Sequence, residues 1–138
     1  MTLTFAPLKK SENLTIRLDA QTRFGVEIFA RIRRRSVSEV VLEELRNRLD
    51  KELPRCDING KKVGLLEAIW DEYEQDRMVK LALHAPQLLT PEERKIWRVI
   101  SEDRAYLSSS GKPNFAAIRN NWRAIKDKVR DYEKSAQE

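Results

Sequence analysis

The chain has 138 residues, of which 41% are hydrophobic and 36% charged, with 4 Gly, 5 Pro and one cysteine, Cys56. These proportions allow one domain or two small ones and favour helices with solvated faces; they exclude an intramolecular disulfide framework and, with no apolar run near the ~18 residues needed, a membrane-spanning helix. A formal net charge of +5 is a moderate basic bias, compatible with nucleic acid but not diagnostic of it.

The charge is unevenly placed. Residues 1–55 carry 12 Lys and Arg against 8 Asp and Glu, whereas residues 56–138 carry 15 against 14 and hold all three Trp and all three Tyr. The expected organisation is a flexible basic arm over 1–12, one domain over 13–54, and a helical C-terminal domain over 60–138. A lone thiol fits a reducing compartment, and the N-terminus lacks the apolar core of a leader peptide, so a cytoplasmic protein is expected.

In chain order, the first element is a strand over Asn13–Asp19. Leu14, Ile16 and Leu18 alternate with Asn13, Thr15 and Arg17, so one face is apolar and the other polar and basic. A strand needs a neighbour for its backbone N–H and C=O groups. The alternation at Met1–Phe5 is short and cut off by Pro7, so the simplest partner is the same strand of a second copy. Asp19 then suits the N-cap of a helix from Ala20 to about Arg34, striped by Phe24, Ile28 and Ile32 with Phe29 beside them. The basic run Arg31–Arg35 leads into Ser36-Val37-Ser38-Glu39, the pattern of a capping box. The helix it opens carries Val37, Val40, Val41, Leu45, Leu49 and Leu53 and stops at Pro54.

Asn59-Gly60 reads as a linker, followed by one long helix from about Lys61 to His84. Its apolar side would hold Leu66, Ile69, Trp70, Tyr73 and Leu81, and its carboxylates Glu67, Asp71, Glu72, Glu74 and Asp76 read as a solvated face. Thr90-Pro91-Glu92-Glu93 is a second capping box, opening a helix with Ile96, Trp97, Ile100 and Leu107; residues 108–113 form a loop. In the last helix Phe115, Ile118, Trp122, Ile125, Val129 and Tyr132 recur at spacings of 3 and 4, which suits either a small bundle or pairing with another subunit.

The order strand, helix, tight turn, capped helix, carried by Leu14-Thr15-Ile16-Arg17-Leu18-Asp19 and by Ser36-Val37-Ser38-Glu39-Val40-Val41 through Leu45 and Leu49, resembles the ribbon-helix-helix family of the Met and Arc repressor type. The resemblance covers residues 13–53 and leaves 60–138 unassigned. It implies that the N-terminal part is an intertwined homodimer with paired strands in the DNA major groove; with the three-helix C-terminal module read from the caps and periodicity of 60–138, a mainly α protein is expected. Asn13, Thr15 and Arg17 would then face base edges: Arg17 can fork onto guanine, Asn13 suits adenine, and Thr15 offers a hydroxyl and a methyl. Ser36 with the amides of Val37 and Ser38 would hold a backbone phosphate, aided by Arg34, Arg35, Lys9 and Lys10. The dimer core would be Leu14, Ile16, Leu18, Phe24, Ile28, Val40, Val41, Leu45 and Leu49. The chain departs from the family at the turn between the helices, where Arg34 stands in place of the usual Gly.

No catalytic constellation, Cys/His cluster or Gly-rich phosphate loop is present; His84 stands alone, so neither an enzyme nor a metal or other cofactor is expected. The expected function is a sequence-specific transcriptional regulator, a repressor acting as a homodimer or tetramer on double-stranded DNA, with a protein partner or effector at residues 60–138 and no membrane association. Alternatives are an antitoxin whose C-terminal part covers a toxin, and an accessory protein for plasmid transfer or partition.

Overall fold

The computed structural model describes residues 11–137, and the arm, including Lys9 and Lys10, lies largely outside them. The described chain is mainly helical and divides into two compact units, 11–64 and 65–137.

In the first unit, residues 11–19 carry no regular secondary structure and Leu14, Ile16 and Leu18 are exposed. Among the described residues no strand pairs with this segment; the only sheet joins two strands further along the chain, and the strand expected over 13–19 is not formed. Helix α1 spans Ala20–Arg33, and its N-cap Asp19 accepts a hydrogen bond from the Thr22 amide at 3.2 Å. That bond, first through the Thr22 contact, holds the Asp19 carboxyl below its ordinary range. Helix α2 spans Val37–Glu52 and packs against α1. Arg34 joins them in the left-handed conformation, φ 54° and ψ 43°, with its amide bonded to the Arg31 carbonyl at 3.1 Å and that of Arg35 to the Ala30 carbonyl at 3.0 Å. Glycine is the usual residue for this conformation. Val40 and Ala30 are buried at the crossing of the helices.

The sheet of this protein lies where a linker and a helix start were expected. Strands β1, Arg55–Ile58, and β2, Lys61–Gly64, pair antiparallel with Cys56 opposite Val63 and Ile58 opposite Lys61. The two-residue loop Asn59-Gly60 takes φ of 53° and 81°, the double left-handed conformation of a tight hairpin turn. Asp57 Oδ1 accepts from the Gly60 amide at 2.9 Å and closes it.

The helix expected over 61–84 is therefore not continuous. After β2 it becomes α3, Leu65–Ile69, and α4, Glu74–His84. Asp71 breaks it: Oδ1 accepts from the Tyr73 amide at 3.1 Å, and Oδ2 takes the Lys80 ammonium at 2.9 Å. An Asp side chain that bonds the backbone two residues on competes with the helical ladder. A 3₁₀ turn at Pro86–Leu88 precedes α5, Pro91–Glu102, whose Thr90 and Glu93 form the complete capping box. Leu107 falls beyond α5 and bridges to Pro113 across the 108–113 loop.

The last helix is also divided, into α6, Phe115–Asn120, and α7, Trp122–Gln137. Asn121 Nδ2 donates to the Ala117 carbonyl at 2.8 Å, alongside the Asn121 amide at 3.0 Å, and the doubled demand on one carbonyl loosens the ladder there. The module thus has five α-helices rather than three. Its core holds Val79, Ile96, Ile100, Ile118, Ile125 and Val129, with Phe115 and Trp122 packed at its edge. Tyr132, the last position of the apolar spacing, is exposed. The stripe therefore serves the bundle, where α7 packs on α5 and α6 on α4.

Asp76 is not part of a solvated face. It is 4% exposed, accepts from Arg119 Nη1 at 2.6 Å, and leaves Oδ1 buried without a hydrogen-bond partner among the described residues. Arg119 also lies over the Tyr73 ring at 4.4 Å. Burial raises the Asp76 pKa, and the Arg119 charge opposes that rise without cancelling it. A raised folded pKa means that protonation favours the folded state, so this group's contribution is largest in acid and is lost as pH rises through the folded value. Arg119→Met removes the compensating cation and moves the Asp76 pKa further up. The expected cost is about 3 kcal/mol near neutral pH, where Asp76 is left a buried unpaired anion, shrinking as the pH falls and it protonates. Urea unfolding of both proteins at several pH values measures the difference.

Candidate nucleic-acid interface

The polar residues of the N-terminal segment are all accessible. Asn13, Thr15 and Arg17 are exposed, and Arg17 makes no ion pair among the described residues. Between them stand the exposed apolar side chains Leu14 (79%), Ile16 (64%) and Leu18 (44%). Such a segment has a hydrogen-bonding face and an apolar face as soon as it is extended and paired.

The helices that follow also carry exposed apolar side chains. Phe24 is 60% exposed, and Val41, Leu45 and Leu49 on α2 are also exposed. Ile28 is half-buried and Val40 buried, so α1 and α2 already share part of the expected dimer core within one chain. Ile32 and Leu42 are exposed too. Ile32 belongs to the α1 stripe and extends the surface. Leu42 stands three residues before Leu45 and seven before Leu49, so the same helical period marks it although it was not among the residues expected in the dimer core.

The start of α2 is built as expected in one half only. Ser36 Oγ accepts from the Glu39 amide at 3.2 Å. Glu39 does not reach back to Ser36; its carboxylate lies 3.3 Å from Arg35 Nε instead. The reciprocal half of the capping box is lost because a guanidinium is a stronger partner for a carboxylate than a backbone amide. Arg35 also pairs with Glu43. Contact between Arg35 and a phosphate would have to displace two carboxylates, which weakens its case relative to Arg34, whose side chain forms no ion pair among the described residues. The amides of Val37 and Ser38, at the first two positions of α2, have no intrahelical acceptor and meet the positive end of the helix dipole. Arg31, Arg34, Arg35 and Ser36 line an open depression of about 560 Å³ at this helix start, together with Glu27 and Glu39.

His84 is exposed at the end of α4, and no group of three or more His, Cys, Asp or Glu among the described residues is placed to hold a metal ion. No helix among the described residues is long and apolar enough to cross a membrane. No protein-family model, curated protein or solved structure matches the chain.

Three substitutions probe the turn between the helices. Ser36→Ala should cost about 1 kcal/mol and Ser36→Gly only a few tenths, since an unfilled N-cap leaves the Glu39 amide unsatisfied. Arg34→Gly should stabilise by up to about 1 kcal/mol, because it relieves a side chain held at positive φ. Denaturant midpoints for the three variants, measured at one protein concentration, check both.

Proposed function

We propose that this protein is a DNA-binding transcriptional regulator that acts as a homodimer, pairing residues 13–18 of two copies into an antiparallel ribbon that enters the major groove. The observation that carries this reading is the uncovered apolar surface of the first unit. Among its described residues only Ala30 and Val40 are buried apolar side chains, while Leu14, Ile16, Phe24 and Ile32 are each at least 60% exposed. A unit of this size that buries so little is marginal alone, and this many large apolar side chains left in solvent on one small unit point to an interaction site.

A second copy of the same chain is the occupant that fits. The segment at 13–18 has no strand partner among the described residues, and its own antiparallel copy satisfies its backbone with the alternation in register. In such a ribbon Leu14, Ile16 and Leu18 turn inward onto Phe24, Leu45 and Leu49. Asn13, Thr15 and Arg17 then turn outward together, where Arg17 can make a bidentate contact to guanine O6 and N7. The free amides at the start of α2 suit a flanking backbone phosphate. The self-packed core of residues 65–137 weighs against an antitoxin whose C-terminal segment folds only on its partner.

Selection of bound fragments from genomic DNA should return a site with two related half-sites. On that site Arg17→Ala should lose about 1–3 kcal/mol of discrimination while non-specific binding at low salt changes little. Fluorescence anisotropy across several salt concentrations separates the two terms, and unchanged affinity and specificity in Arg17→Ala would remove the ribbon from the groove. Sedimentation should show a dimer that Ile16→Asp dissociates; a wild-type chain that stays monomeric at all concentrations rules out the pairing.

A further inference from the structure

The C-terminal unit contains a groove that the DNA reading does not use. It has a volume of about 540 Å³, within the range of small-molecule sites, and is built from α3, α4, α5 and α7. Its floor is apolar: Met78 and Ile96 are buried, and Trp122 is half-buried beside them.

The polar groups around that floor divide into those already engaged and those left over. Glu93 and Thr90 are occupied with each other in the α5 cap. Arg77 donates to the Asp71 carbonyl at 3.4 Å and lies over Trp70. On the α7 wall, Lys126 and Arg130 stand one turn apart, so two like charges are neighbours. Lys126 makes no ion pair among the described residues; its ammonium lies 5.8 Å from the centre of the Trp122 ring. Arg130 has only Asp127, at 3.4 Å. Glu74 on α4 and Glu92 on α5 also line the groove and have neither an ion pair nor a side-chain hydrogen bond among the described residues. The groove thus carries two carboxylates and two cations that are not paired with one another, the complement of a small molecule with both charges.

We propose that this groove binds a small zwitterion of the α-amino-acid class with an apolar side chain. The ligand carboxylate lies between Lys126 and Arg130, its ammonium faces Glu74 and Glu92, and its apolar body covers Met78, Ile96 and the Trp122 ring. A carboxylate between the two cations relieves their mutual repulsion, and the two uncommitted carboxylates distinguish a zwitterion from a simple organic acid. This inference is independent of the DNA reading, since every group it uses lies within residues 65–137.

The test is isothermal titration of the full chain with L-phenylalanine, L-leucine and L-tryptophan, beside 3-phenylpropionate and 2-phenylethylamine, which each lack one charge. At least one amino acid should bind, and at least tenfold more tightly than either single-charge compound. Lys126→Met should weaken it about tenfold, and Lys128→Met, on the same helix but outside the groove, should leave it unchanged. Lys126 is exposed, so the fold is retained, and an unchanged thermal transition of the variant verifies this. Absence of binding by all three amino acids, equal binding by 3-phenylpropionate or 2-phenylethylamine, or an unaffected Lys126→Met overturns the assignment.

Discussion

The apolar residues that α1 and α2 carry must leave water, and within one chain they largely do not. Val40 and Ala30 are covered where the helices cross, but a two-helix unit has only one inner face. The Arg34 turn sets that crossing. It brings α2 back onto α1 in three residues, with successive amides bonded to the last carbonyls of α1. Each feature proposed for this unit follows from that geometry. The same turn leads directly into the unbonded amides that open α2.

The C-terminal unit meets the same demand differently. Its helices are numerous enough to cover one another, and Val79, Ile100 and Ile118 are fully out of solvent. Closure brings a polar group inside with them. Asp76 is held between α4 and α6 by Arg119, which is itself stacked on Tyr73. An ion pair of this kind adds little net stability, because desolvation consumes most of the attraction. It does fix which face of α6 meets α4, since the carboxylate has no other cation in hydrogen-bond range among the described residues. Lys80 and Asp71 make a second, less buried pair nearby. Burial pushes Asp71 up, but the Lys80 contact brings it net below its ordinary value.

Local chemistry was legible wherever one residue type has one strong local use. Asp19, Ser36 and Thr90 cap the helices that follow them, and Pro54 lies just past the end of α2. The amphipathic spacing identified α2 and α5, and most of the stripe along 115–132 is core. Asn59-Gly60 carried a hairpin signal as well, but the flanking Arg55-Cys56-Asp57-Ile58 and Lys61-Lys62-Val63-Gly64 are too polar to alternate clearly, so the pair passed for a linker.

Composition, caps and periodicity determined that this chain is mainly helical, that a capped helix–turn–helix follows an alternating segment, and that aromatic residues gather in its second part. These are effects between neighbours within a few residues, and they survive without a tertiary context. Only the tertiary structure decided where helices break, because Asp71 and Asn121 bond the backbone in competition with the helical ladder. It alone decided that Asp76 is buried rather than solvated, since its partner Arg119 is 43 residues away. It also left Leu14, Ile16 and Phe24 in solvent. Periodicity tells which residues share a face, whereas only the packed chain tells whether that face has been covered.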